Sequence, residues 1–249
     1  MTASPEKTIL VCRCATHGLL ARQELQTVLS SVEEQDSYTL EAIDDLCGMT
    51  VTDKVQLENL LAQEQVEIVA CYPRAVKSMF EQADVEVDWA QTPIHNLRQQ
   101  SGCEVNAALG VPSVPASEAP TSVASPEWRP WFPVLDLERC THCRQCLSFC
   151  LFDVYRTDDD GCVTVENPQN CKDSCPACAR VCPEVAIIFP KAADRPINGD
   201  EIQDELLERE KARITLEQSG GKNLYQVLSD RKKATRSLLK PSVRRKIQE

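Results

Sequence analysis

Aromatic residues make up only 5% of this 249-residue chain, so any core must be built mainly from aliphatic side chains. Long apolar runs are also missing. Stretches such as Ala186-Ile187-Ile188-Phe189 fall far short of the roughly 20 residues a spanning helix needs, which excludes a membrane span. The first thirty residues lack the basic, apolar and small-residue order of a secretory signal, and the expected location is cytoplasmic. Basic charge is in deficit, with 27 Lys and Arg against 38 Asp and Glu and a net charge of −11. A surface of that sign does not neutralise phosphates, so nucleic acid is not an expected partner. No glycine-rich dinucleotide loop follows a strand, and no P-loop is present. The three histidines, His17, His95 and His142, are too scattered to assemble a hydrolytic site. A stand-alone catalyst is therefore not expected.

What the chain has in excess is cysteine, 14 residues of it. Disulfides, zinc and iron–sulfur clusters compete to explain that number. A reducing compartment disfavours a disulfide framework, which leaves the spacing to choose between metals.

The segment Val111 to Pro130 holds five Pro, four Ser and three Ala and reads as an extended linker. Four regions follow: an α/β unit over 1–105, a linker over 106–130, a Cys-dense unit over 131–192 and a charged tail over 193–249. In the first, β-rich runs alternate with amphipathic stretches, the pattern of a small open parallel sheet with crossover helices. Strands are expected at Thr8 to Val11, Tyr38 to Ile43, Val66 to Ala70 and Val85 to Val87. Helices are expected at Leu19 to Val32, after a cap at Thr52 or Asp53, and at Arg74 to Ala83. The tail is acidic and helical over Glu201 to Glu217. From Lys222 to Glu249 it carries nine basic residues against two acids, a local +7 that leaves −18 on the preceding 221 residues. That asymmetry fits a docking or clamp element, or a solvated helix interrupted at Pro241.

The Cys-dense unit contains Cys140-x2-Cys143-x2-Cys146-x3-Cys150, followed by Cys171-x3-Cys175-x2-Cys178-x3-Cys182-Pro183. Three closely spaced cysteines present three thiolates to one four-iron cube, and the fourth reaches the other cube. By that rule Cys140, Cys143, Cys146 and Cys182 hold one 4Fe-4S cluster, and Cys171, Cys175, Cys178 and Cys150 hold a second. Zinc, the alternative for paired C-x2-C motifs, does not explain triplets that are each trailed by a fourth cysteine. This pattern resembles the bacterial-type ferredoxin with two 4Fe-4S clusters. The resemblance implies an α+β ferredoxin-like two-cluster domain, pseudo-twofold, with two short hairpins and two helical turns. Two departures stand out: Leu151 replaces the usual proline after the first run, and three residues instead of two separate Cys171 from Cys175. Asp158-Asp159-Asp160-Gly161 reads as a hairpin turn. His142 is either a spacer or a tuner of the first cluster, and Cys162 is a buried strand thiol.

The α/β unit adds Cys12-x-Cys14, Cys47 and Cys71, which fall just after successive candidate strands. The carboxyl ends of parallel strands form one rim where cofactors gather, so these four can converge. A third cluster, unliganded buried thiols, and a redox dithiol or zinc site are the open alternatives. Cys103 is a spare candidate ligand, and Arg74 could offset a cluster's charge. The strings Val11-Cys12-Arg13-Cys14-Ala15, Leu46-Cys47-Gly48-Met49 and Ala70-Cys71-Tyr72-Pro73-Arg74 resemble the N-terminal domain of the heterodisulfide reductase A subunit. The resemblance implies an additional iron–sulfur cluster in this unit, while the flavin domain of that family is absent.

The expected function is single-electron transfer through two, or three, 4Fe-4S clusters, with redox proteins as partners. One alternative is an electron-wiring subunit of a larger heterodisulfide-reductase-like oxidoreductase, partnered by a flavoprotein or catalytic subunits, in which the linker lets two cluster domains move. The other is an iron–sulfur redox sensor.

Overall fold

Short β-branched runs with almost no polar residues can satisfy both their backbone and their side chains only inside a sheet covered on both faces. Lys7–Cys12 (β1) and Val66–Ala70 (β3) are such runs, and both are buried nearly throughout. They are the central strands of a four-stranded sheet, with Tyr38–Ile43 (β2) beside β1 and Ile94–Asn96 (β4) beside β3. All three pairings are parallel, with Cys12 opposite Ile43 and Val11 opposite Val69. The computed structural model from which this is read describes residues 7–115 and 128–218, so the basic stretch 222–249 and the middle of the Pro-rich segment lie outside it. Among the described residues no helix is long and apolar enough to cross a membrane.

Parallel neighbours need crossovers, supplied by Arg22–Glu33 (α1), Leu46–Thr52 (α2), Lys54–Leu61 (α3) and Pro73–Gln82 (α4). Asp45 caps α2 by accepting from the Gly48 N–H, and Asp53 caps α3 through the Gln56 N–H. Pro73 opens α4 at a position whose N–H has no helical partner anyway.

Two expectations are corrected here. Val85 to Val87 is not a strand. Asp84 turns left-handed at the end of α4, and the Val85 N–H bonds the Phe80 carbonyl, so this segment finishes the helix. The fourth strand is the more polar β4, where His95 Nε2 meets Glu67 Oε2 on β3 at 2.6 Å. The segment from residue 106 onward does not begin as linker, because Gly102–Leu109 (α5) runs across that boundary. Ser101 and Glu104 form a reciprocal capping box on α5, a signal present in the sequence and overlooked.

The Cys-dense unit contains two antiparallel pairs. Val134–Leu135 (β5) pairs with Ile187–Ile188 (β8), and Tyr155–Thr157 (β6) pairs with Val163–Val165 (β7). Gly161, at φ +81°, closes the latter hairpin at the Asp-rich turn. Gln145–Phe149 (α6) and a 3-10 turn at Ala179–Val181 supply short helical segments. Glu205–Gln218 (α7), mostly exposed, packs against that turn, and Arg209 pairs with Glu184 at 2.7 Å.

The two units have separate cores that meet along one short ladder. Phe132, Val134 and Ile188 belong to the core of the parallel sheet, while Trp131, Leu135, Ile187 and Phe189 belong to the second core. Arg74 crosses between them, donating from Nε to Asp136 Oδ2 at 2.7 Å and from Nη2 to the Val185 carbonyl at 2.6 Å. Its expected role beside a cluster is thereby corrected to a bridge between units. Gly199, at φ +93°, lies so close to α4 that a Cβ there would stand 2.5 Å from the Ala75 methyl. Such contacts also correct the reading of the linker as a hinge between moving domains.

Replacing Arg74 by Met keeps the aliphatic stem but leaves the Asp136 carboxylate, 10% exposed, without its cation. Destabilisation of about 3 kcal/mol is expected, read as a lowered urea midpoint of the anaerobic protein. A loss below about 0.5 kcal/mol, the range of an ordinary surface change, would contradict the bridging role.

Candidate metal centres

Thiols that point into one space must be kept from collapsing onto one another, and here bent backbone does this. His142, Arg144 and Ser174, inside the cysteine loops, and Val185, just after them, all adopt left-handed φ between 51° and 62°. For non-glycine residues this costs about 1–3 kcal/mol each, and such strain concentrates where function needs a particular geometry.

Cys140, Cys143, Cys146 and Cys182 line one cavity, closed by Leu135, Val163, Ala186 and Ile187. Cys150, Cys171, Cys175 and Cys178 line a second, closed by Phe149, Phe152, Val154 and Tyr155. Each group is one of the two sets that the spacing rule assembled. Backbone and side-chain donors already reach the sulfurs. The Ala186 N–H lies 3.4 Å from Cys182 Sγ, and the buried Tyr155 hydroxyl lies 3.1 Å from Cys178 Sγ. His142 Nδ1 accepts the Val163 N–H at 3.0 Å, so it carries no proton toward Cys140, 3.8 Å away. His142 therefore holds the loop against β7.

Cys12, Cys14, Cys47 and Cys71 line a third cavity at the carboxyl rim of the parallel sheet. Cys12 ends β1, Cys71 follows β3, Cys47 rides on α2, and Cys14 turns left-handed at φ 47°. The Leu46 N–H reaches Cys12 Sγ at 3.4 Å. The cavity is closed from the other unit by Pro190 and Lys191. Lys191 Nζ lies 3.2 Å from Cys14 Sγ and 2.7 Å from Asp45 Oδ2. Sequence reasoning missed Lys191, Asp45 and Arg98, which also lines the cavity. Only the aspartate left a signal, as the cap residue ahead of Cys47.

Burial pushes the Cys12, Cys146 and Cys171 thiols up to about 12 and Cys71 up to about 11, with neighbouring thiolates adding to it. Cys47 and Cys178 lie well above their ordinary value for the same first reason. A metal entering these sites displaces protons from thiols that would otherwise keep them. At Lys191 burial opposes the charge, but Cys47, Cys14, Asp45 and Cys12 outweigh it and raise the pKa.

The donor sets are all sulfur, which suits thiophilic metal. A single zinc ion would draw four sulfurs to about 2.3 Å from one point. Among the described residues no three Cys, His, Asp or Glu side chains are grouped to hold one metal ion. The thiols instead line three separate cavities, four to each. Four thiols per cavity are the donor set that an iron–sulfur cluster takes. Cys103, exposed on α5, and Cys162, half-buried before β7, line none of the three. Cys162 is thus less enclosed than expected of a core thiol.

Over 61 residues the chain is 44% identical to an uncharacterized ferredoxin of Methanocaldococcus jannaschii, a match covering 24% of this chain and 41% of that protein. The chain thus spans about two fifths of the length of this curated relative. No family model matches the chain. Part of the sequence is ferredoxin-like on this evidence.

The packing makes a direct expectation for thiol labelling. Brief maleimide treatment of the native protein should modify Cys103 first and spare Cys12 and Cys47, as read by mass spectrometry. Modification of Cys47 ahead of Cys103 would contradict the burial described.

Proposed function

We propose that this protein is an iron–sulfur electron-transfer protein that passes single electrons through three 4Fe-4S clusters. Two would lie in an α+β ferredoxin-like domain and one in the adjoining open-sheet α/β unit. The observation that carries this reading is the presence of three cavities, each lined by four cysteines. The likeness of 61 residues to a ferredoxin supports iron–sulfur chemistry in this chain.

In this reading Cys140, Cys143, Cys146 and Cys182 hold the first cluster, Cys150, Cys171, Cys175 and Cys178 the second, and Cys12, Cys14, Cys47 and Cys71 the third. The clusters, when bound, supply one-electron chemistry at reduction potentials set by charge, hydrogen bonding and exposure. The chain's own work is to exclude water, orient sulfurs and donate hydrogen bonds. Leu135, Val163 and Ile187 keep water from the first site, as Phe149, Phe152 and Val154 do at the second. Tyr155 donates to Cys178 and stabilises negative charge there. Cys171 packs against both hydrophobic cores.

Iron and acid-labile sulfide counted on anaerobically purified protein test this reading. About twelve of each per chain are expected, falling to about eight in Cys71→Ser. About eight in both proteins would remove the third cluster, and zinc without sulfide would overturn the whole reading. The net charge of −11 further suits a partner with a basic docking face. Electron transfer to such a partner should slow as ionic strength rises, and a salt-independent rate would contradict it.

A further inference from the structure

The N-terminal cavity differs from the other two in its charge. The wall of the second cavity contains no Asp, Glu, Lys or Arg, and that of the first sets Arg144 against Glu184. The N-terminal wall contains two cations, Arg98 and Lys191, and no acid. Neither cation is an ordinary surface residue. Lys191 is 4% exposed and pairs with Asp45, itself 8% exposed. Asp45 is held in turn by the Thr16 hydroxyl and by its cap bond from the Gly48 N–H. Arg98 donates to the Pro190 and Ala192 carbonyls at 3.0 and 3.1 Å, and its guanidinium lies 5.0 Å from the Tyr72 ring centroid. Among the described residues Arg98 meets no carboxylate, so the surroundings of this cavity keep an excess positive charge.

Positive charge in a poorly solvated site favours adding an electron to whatever four thiolates hold there, and a hydrogen bond to a ligand sulfur acts in the same direction. The Lys191 ammonium supplies both, being 3.2 Å from Cys14 Sγ.

We propose that Lys191 and Arg98 make the N-terminal centre the highest in potential of the three, so that an electron entering through the ferredoxin-like unit comes to rest there. This rests on the three-cluster reading above. The step moves one electron: a ferredoxin-like centre is oxidised by one unit, the N-terminal centre is reduced by one, and no bond or proton changes place. Lys191 is a positioning and tuning residue, contributed by the ferredoxin-like unit to a site whose cysteines all belong to the other unit.

The test is a redox titration of the full anaerobic protein followed by electron paramagnetic resonance, with iron counted on each variant. The signal missing from Cys71→Ser is expected to have the highest midpoint. Lys191→Gln, which keeps a donor for Asp45, should retain iron and lower that midpoint by at least a tenfold change in the reduced-to-oxidised ratio, about 59 mV for one electron. Asp45→Asn, which keeps the helix cap, should raise it. Opposite shifts of a single signal separate tuning from structural support, which would shift all signals or lose iron. An unmoved midpoint in both variants, or an N-terminal signal lowest of the three, overturns the proposal. If Lys191→Gln loses iron, Arg98→Gln decides, with the same downward shift expected and an unmoved midpoint overturning it. About eight irons in the unmutated chain would instead sink the three-cluster reading on which this depends.

Discussion

The ladder between β5 and β8 is only two residues long on each strand, yet both halves of the molecule hang from it. Successive side chains of a strand point to opposite faces. Val134 lies opposite Ile188, and both enter the core of the parallel sheet. Leu135 lies opposite Ile187, and both enter the core of the Cys-dense unit. One pleat therefore commits the chain to two interiors at once. The residues just beyond it make the polar links between units: Asp136 to Arg74, and Lys191 to Asp45 and Cys14. A register slip of one residue would exchange the two faces and withdraw Lys191 from its cavity.

Around that ladder the fold does one thing three times, lining a single enclosure with four sulfurs. In the Cys-dense unit the device is local, tight loops with left-handed residues at His142, Arg144 and Ser174. At the sheet rim it is global, because β1, α2 and the end of β3 deliver cysteines from three separate stretches. The global solution needs a lid, and Pro190 and Lys191 provide it from the neighbouring unit. The lid brings charge with it, whereas the local solutions are sealed by aliphatic and aromatic side chains.

This difference explains what could be read in the sequence. The triplets and their trailing cysteines are a local code, and the groups they define line two common cavities. β1, β2 and β3 were legible because apolar and β-branched residues predominate in each, with a single charged residue apiece at Lys7, Glu41 and Glu67. β4 was not, since Ile94-His95-Asn96 is held by a cross-strand contact to Glu67 that only the sheet creates. The four N-terminal cysteines could be guessed to converge from the topology of a parallel sheet. Lys191 could not, because it lies 177 residues from Cys14 and its partner choice depends on how β8 docks. Arg74 misled for a related reason: its neighbour in sequence is Cys71, but its partners in space are Asp136 and the Val185 carbonyl.

The central claim is that three four-cysteine cavities each hold a four-iron cluster. Anomalous diffraction at the iron edge, from crystals grown without oxygen, addresses it most directly. The account expects three separate iron densities, one within each set of four cysteines, and no zinc-edge signal. Two iron densities with Cys12, Cys14, Cys47 and Cys71 packed as bare thiols, or zinc in any of the three, would contradict it.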